Sequence, residues 1–344
     1  MANILILRFS AIGDVAMTVP VVDSLARAHP DNRFTVVSQP FLSPLFAHCP
    51  DNVLFEGIDL KGTHKGIAGI FRFYKKMRQN RYDAVADLHD VLRTKLLRFF
   101  FRCNGLKVRH IDKGRPEKRR LVTGKKKQQL KTSVERYADV FRALGFTVNV
   151  DFHSVFGTGK GDFAKIEEFA GAKTGKWIGI APFAKHTGKI YPLERTEQVV
   201  AQLAGRANTT LFLFGGGEHE KQTLENWAGK YPNTIRVAGK LKLAEELVLI
   251  SHLDVMLSMD SANMHIASLT ATPVVSVWGA THPYTGFYGY RQLPTNAVQV
   301  DLPCRPCSVY GNKPCRRKDY ACLMQIPQER VIETINTGDT VVIQ

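Results

Sequence analysis

The stretch from residue 254 to 279, DVMLSMDSANMHIASLTATPVVSVWG, narrows what this chain can fold into more than any other. A short apolar run ends at Ser258, and Asp260 and Ser261 follow. A helix-patterned segment then carries His265, and a second apolar run spans Val274 to Val277. That is strand, helix entry, helix, strand. An Asp-Ser pair at a helix entry caps free backbone N–H groups. The same N–H groups and the positive helix end suit an anion such as a phosphate. His265 lies four residues past Ser261, so the two share a helix face. The plainer alternative is a capped helix with a partly buried histidine, and the rest of the chain has to choose.

The same alternation runs along the whole sequence. Residues 3–9, NILILRF, read as a buried strand, Ser10 to Gly13 as a tight loop, and Asp14 to Ala28 as a helix that Pro20 kinks. Strand-like runs recur at 34–37, 84–88 and 108–111, with helical segments such as 134–144 between them. A glycine-rich stretch, 157–176, reads as a linker. Strands then return at 177–181, 210–214, 235–237 and 254–258, with helices at 194–204, 218–229 and 244–251, and a last helix at 327–337. Short apolar strands alternating with helices predict parallel, doubly wound sheets. At 344 residues the chain exceeds one comfortable core. The expectation is therefore two α/β domains, 1–165 and 166–344, across a cleft, with the option that the C-terminal helix packs back on the first.

The charge balance points to acidic partners. Lys and Arg number 47 against 31 Asp and Glu, a net charge of +16. The excess concentrates in residues 107–131 and 61–81, either as solvated faces or as a directed binding surface. The first of these runs contains no Phe, Tyr or Trp. That argues against a nucleic-acid binder, which interleaves aromatics with its cations. Apolar stretches are strand-sized, short of the ~20 residues that cross a bilayer. The start lacks the basic region of a secretory signal, so a cytoplasmic protein is expected. Four of the six cysteines, Cys304, Cys307, Cys315 and Cys322, crowd into C-x2-C-x7-C-x6-C. In a reducing compartment such a cluster suits a closed structural zinc or iron site, with plain loop cysteines as the alternative.

Candidate chemistry sits at strand-to-helix junctions, where open α/β sheets bind ligands. There is no G-x-G-x-x-G after the first strand and no G-x4-G-K-[ST], so dinucleotide and P-loop signatures are missing. Asp14 follows the first strand and is either an N-cap or a general base for a substrate hydroxyl. The loop 181–192 follows the first strand of the second half and offers Lys185 and Lys189 as counter-charges for a diphosphate. At 215–217 three glycines permit close backbone approach, and Glu218 after them suits the hydroxyls of a ribose.

Together these residues resemble glycosyltransferase family 9, the ADP-heptose:lipopolysaccharide heptosyltransferases. The likeness rests on R-x-S-A-I-G-D-V…T-V-P at 8–20, P-x-x-x…K-x-Y-P at 182–192, and D-S-x-x-x-H-x-A at 260–267, with Gly-Gly-Gly-Glu at 215–218 and the segment from Cys304 in matching places. Tyr191 stands where the family usually has Trp. The resemblance implies a GT-B fold, two Rossmann-like domains facing each other across a cleft. It also implies inverting, metal-independent transfer from a nucleotide sugar to an anionic lipopolysaccharide-core acceptor at the cytoplasmic face of the inner membrane. Asp14 matches the catalytic base and Lys189 the cation on the donor diphosphate. Glu218, with Glu220 competing, matches the ribose-binding acid. Asp260, Ser261 and His265 match the nucleotide-binding helix start, and Gly13 joins the ligand-lining set. The alternatives are a transferase of the same fold using another nucleotide sugar, and a nucleotide-sugar binder without transfer activity.

Overall fold

A computed structural model describes residues 1–338. Two compact units divide the chain: Met1–Lys113 with Thr132–Val155, and Gly114–Lys131 with Phe156 onward.

The first unit begins with β1 (Asn3–Leu7), α1 (Ile12–Ala16), α2 (Val19–Ala28), β2 (Arg33–Ser38), β3 (Val53–Gly57) and α3 (Gly66–Arg78). It continues with β4 (Ala84–Asp87), α4 (Leu92–Cys103) and β5 (Lys107–His110), and after α5 (Arg115–Val122) is completed by α6 (Ser133–Leu144). Its strands are all parallel, in the order β3-β2-β1-β4-β5. The single helix expected over 14–28 is in fact two. Pro20 has no N–H to give the carbonyl of Ala16, so the ladder breaks there. The Thr18 hydroxyl closes the first piece on the Val15 carbonyl at 2.7 Å. On one face of the sheet, Ile70, Phe73 and Met77 of α3 and Leu97 and Phe101 of α4 pack onto Leu5, Leu7 and Val85. The reversed crossover from β1 to β2 puts α2, and α6 packed on it, over the other face. Each such side chain taken from water contributes about 1.5–3 kcal/mol, and strands covered on both faces read as continuous apolar runs.

The second unit contains α5, α7 (Glu167–Ala170), β6 (Lys176–Ala181), α8 (Leu193–Ala204), β7 (Thr209–Leu213), α9 (Glu218–Lys230) and β8 (Thr234–Arg236). There follow α10 (Leu243–His252), β9 (Val255–Met259), α11 (Ala262–Leu269), β10 (Val274–Val277), β11 (Ala297–Val298), α12 (Ala321–Met324) and α13 (Gln328–Thr337). The strands run parallel in the order β11-β10-β9-β6-β7-β8. The C-terminal helix α13 buries Val331, Ile332 and Ile335 in this unit's own core, beside α8 and β9–β11. The basic run 107–131 is split by the fold. Lys107 and Arg109 belong to β5, whereas 114–131 packs with the second unit. There the Lys118 ammonium sits 4.2 Å from the centroid of the Phe287 ring, Lys127 pairs with Asp301, and the Leu130 amide donates to the Tyr284 carbonyl at 3.0 Å. Among the described residues, no helix is long and apolar enough to cross a membrane.

Candidate active site

In each sheet the chain leaves the central strand in one direction and later returns on its other side. The carboxyl ends of the two strands at that reversal form the natural ligand crevice. In the first unit they are β1 and β4. The register sets Leu7 level with Asp87, so Arg8 and Phe9 lie beside Leu88 and His89. Arg8 is buried, and its guanidinium donates to the Leu88 carbonyl at 2.7 Å and pairs with Asp14 Oδ2 at 2.8 Å. Asp14 is the third residue of α1 rather than its cap, and Oδ2 also accepts the Ala11 N–H at 3.3 Å. The side chain keeps 31% of its surface exposed. A carboxylate pinned through one oxygen and open to water through the rest is what a base for a bound hydroxyl requires. Gly13 is buried in the first turn of α1.

Sequence reasoning missed His89. Its Nδ1 accepts the Phe9 N–H at 3.3 Å, which fixes the ring proton on Nε2. Burial, with the nearby charges of Arg8 and Lys113, pushes its pKa down to about 3, so the imidazole is neutral at physiological pH. Asp87, wholly buried, accepts the N–H groups of His89 and Asp90 at 2.8 and 2.9 Å and meets Arg98 at 3.3 Å. It stiffens the turn that carries the histidine. The only sequence signal was a polar trio closing an apolar strand at 87–90, and its pairing with β1 is long-range.

In the second unit the reversal lies between β6 and β9, with Ala181 level with Ser258. Lys189, from the loop after β6, reaches Asp260 Oδ2 at 2.8 Å, and the Thr281 hydroxyl donates to the same oxygen at 2.7 Å. Asp260 is therefore committed to holding Lys189, a role its motif did not reveal. Lys185 is exposed, which favours Lys189 as the cation of the site. Ser261 stands at the N-cap of α11, yet makes no side-chain capping bond; its hydroxyl lies 3.2 Å from that of Ser258. The expected cap is thus absent, and the helix start keeps its N–H groups for other partners. His265 is buried on α11.

Three loops lock this arrangement. The Ala280 N–H donates to the Gly188 carbonyl at 2.8 Å, and the Cys307 N–H to the Ala280 carbonyl at 2.8 Å. Arg305, buried, donates to the carbonyls of Trp278, Gly279 and Thr281 at 3.1, 2.6 and 2.9 Å. Gly311, at φ +74°, lies so close to the lysine stem that a Cβ there would meet Lys189 Cγ at 2.6 Å. Tyr191 is a core residue, its hydroxyl on the Ile326 carbonyl at 2.8 Å.

Two other predicted groups take the following places. Glu220, not Glu218, serves the glycine turn, its Oε2 accepting the N–H groups of Gly216 and Gly217 at 2.7 and 3.3 Å. Glu218 projects into water at the carboxyl end of β7, 3.3 Å from Lys221. The four cysteines expected as a structural metal knuckle, Cys304, Cys307, Cys315 and Cys322, lie near one another in the second unit. Among the described residues no three His, Cys, Asp or Glu side chains converge to hold an ion. The four cysteines are free thiols. Cys322 is built into the hydrophobic core, and Cys307 Sγ donates to the Cys304 carbonyl at 3.2 Å. Burial raises the Cys307 thiol and pushes Cys322 up to about 11. The segment's evident work is to wall Lys189.

Comparison with known proteins identifies the family and the fold. The sequence profile of glycosyltransferase family 9 (heptosyltransferase) matches residues 70–319. Lipopolysaccharide heptosyltransferase 3 of Escherichia coli (strain K12) is 26% identical over 307 residues, covering 82% of this chain and 87% of that protein. The crystal structure of a family 9 glycosyl transferase from Veillonella parvula DSM 2008 superposes with a TM-score of 0.75 at 19% identity, covering 98% of this chain and 97% of that one. The E. coli ADP-heptose lipopolysaccharide heptosyltransferase II gives 0.72 at 18%, covering 98% of each. The fold is thus of the GT-B type, two Rossmann-like units. The chain belongs to glycosyltransferase family 9, the heptosyltransferases.

Proposed function

We propose that this enzyme transfers a heptose, with inversion, from ADP-heptose to a hydroxyl of an anionic lipopolysaccharide inner-core acceptor. The heptosyltransferase relatives support the sugar and acceptor class. The observation that carries the mechanism is Asp14, held by buried Arg8 at the carboxyl edge of β1 yet open to solvent. Asp14 takes the acceptor's hydroxyl proton. The acceptor oxygen bonds to the anomeric carbon as the bond from that carbon to the ADP diphosphate breaks. Lys189, held by Asp260, and the N-terminus of α11 at Ser261, with His265 one turn in, offset the charge gathering on the departing phosphate. Glu218 accepts hydrogen bonds from the ribose, and Gly13 lines the acceptor side. No step requires a metal. On this reading the first unit serves the acceptor and the second the donor. The protein works in the cytoplasm as a peripheral partner of the inner membrane, whose acceptor lies in an anionic leaflet.

Asp14→Asn, assayed by ADP release with ADP-heptose and a deacylated core acceptor, tests the base. Loss of a general base costs about 10²–10⁴ in kcat, with ADP affinity unchanged. Turnover at the wild-type rate overturns the assignment. Running the same assay with GDP- and UDP-sugars tests the donor, and faster release from either refutes ADP-heptose.

A further inference from the structure

The first unit carries an amphipathic surface that the transfer chemistry does not use. Helices α3 and α4 lie side by side over one face of its sheet. Together they hold eight Lys and Arg and no Asp or Glu. Among those cations sit four large apolar side chains that folding leaves in water: Ile67, Phe71, Leu92 and Phe99, exposed by 74%, 39%, 83% and 61%. On α3, Ile67, Phe71 and Lys75 follow at four-residue spacing and share a row. On α4, Leu92, Leu96 and Phe99 do the same at spacings of four and three.

The exposed rings are rooted, not loose. Phe71 stacks on Tyr74 at 5.8 Å and meets Phe100 of α4 edge-on at 5.2 Å, and Phe99 meets Phe100 at 5.9 Å. Tyr74 and Phe101 continue the ring chain into the core. The cations flank it. Lys75 lies 4.9 Å from the centroid of Phe71, and Arg72 reaches only the Thr63 carbonyl at 3.1 Å. Clustered exposed apolar surface on a folded protein marks an interaction site. Aromatics ringed by Lys and Arg match the boundary of a bilayer, where rings sit at headgroup depth and cations meet anionic lipid. An acidic protein partner would meet the charge but leave the four exposed apolar side chains unexplained.

We infer that the outer face of α3 and α4 docks on an anionic membrane surface, inserting Phe71, Phe99, Ile67 and Leu92 at the headgroup boundary while Arg72, Lys75 and their neighbours hold lipid phosphates. The inference rests on the reading that the acceptor is embedded in such a membrane. It assigns that contact to a surface distinct from the basic segment 114–131 of the second unit.

The test is co-sedimentation with vesicles, phosphatidylcholine with or without phosphatidylglycerol, needing neither donor nor acceptor. Wild type binds the anionic vesicles and is released by high salt. Arg72→Gln with Lys75→Gln lowers the partition roughly tenfold to thirtyfold, at about fivefold per cation near the leaflet. Phe71→Ser with Phe99→Ser lowers it at least tenfold while turnover on the water-soluble acceptor is unchanged. If those two destabilise the fold, Ile67→Ser with Leu92→Ser, both almost free of packing, gives the same readout. Equal binding to neutral vesicles, wild-type partition in the serine variants, or a wild-type dimer that the serine variants dissociate would each overturn the inference. Vesicle binding without any sugar transfer would instead sink the proposed function and leave this inference standing.

Discussion

Asp260→Asn probes the reallocation of a motif residue from ligand contact to lysine holder. One carboxylate oxygen receives Lys189 at 2.8 Å and Thr281 at 2.7 Å, with the ion pair's side chains 16% and 7% exposed. Unit charges 2.8 Å apart attract by roughly 6 kcal/mol at an effective dielectric of about 20, and desolvation offsets most of that. Stranding one partner of a buried pair costs about 3–5 kcal/mol. Asn keeps an acceptor oxygen and Lys189 keeps some water, so the expected loss is nearer ~2 kcal/mol. In a unit of this size that lowers Tm by roughly 4–8 °C. The decisive assay is a double-mutant cycle of Asp260→Asn and Lys189→Met, followed by denaturant unfolding of all four proteins. Removing both charges leaves none stranded, so the double variant is expected to be about 1–2 kcal/mol more stable than additivity allows. Additivity within ~0.5 kcal/mol would refute the holder role.

Two other consequences are open to measurement. Burial pushes the Glu246 carboxyl up to about 7 from 4.5, so the folded state retains a proton that the unfolded chain releases, and stability falls as pH rises from 4.5 towards about 7. Glu246→Gln is expected to leave stability unchanged near pH 4.5 and raise it by about 1–2 kcal/mol near pH 8; a constant difference across chemical unfolding curves at both pH values would exclude this. Gly311→Ala combines a left-handed backbone with a Cβ 2.6 Å from Lys189 Cγ, so ADP affinity measured by calorimetry is expected to fall about tenfold. Gly171→Ala, at φ +71° with nothing near its Cβ, is the control for backbone strain alone. Equal affinities in the two variants would show that the lysine stem does not matter.

The legible parts of the molecule were those written locally. Every strand of the second unit except β11 was visible as an apolar run between helix patterns, because a strand covered on both faces needs no partner residue to announce it. The placement of Asp14 and Lys189 after the first strand of each sheet was visible because strand-to-helix junctions are written locally. What stayed hidden depended on pairing. His89 matters only because Asp87 is in register with Leu7, a relation across eighty residues. Thr281, through its hydroxyl on Asp260, and Arg305, through the carbonyls it gathers, act only once three loops are brought together. The cysteine spacing did not tell which thiol enters the core, and Cys322 is the one that does. The basic run is divided for a related reason, since the chain passes from one unit to the other within it.

The holding of Lys189 bears on what the Asp-Ser motif encodes. A carboxylate facing a diphosphate would repel it, so Asp260 can stand beside an anion site only while its charge is spent elsewhere. Lys189 spends it, and in return the lysine is kept extended rather than sampling rotamers whose loss would cost up to about 2 kcal/mol on binding. The anion then meets an ordered ammonium and the free N–H groups of α11, whose cap serine bonds sideways to Ser258. None of these groups reads a base or a sugar. On the proposed function they would meet a phosphate at a fixed place, which any nucleotide diphosphate presents. Discrimination among donors therefore has to come from groups beyond the motif, and a change at exposed Glu218, proposed to hold the ribose that these donors share, is expected to weaken all of them alike without altering donor preference.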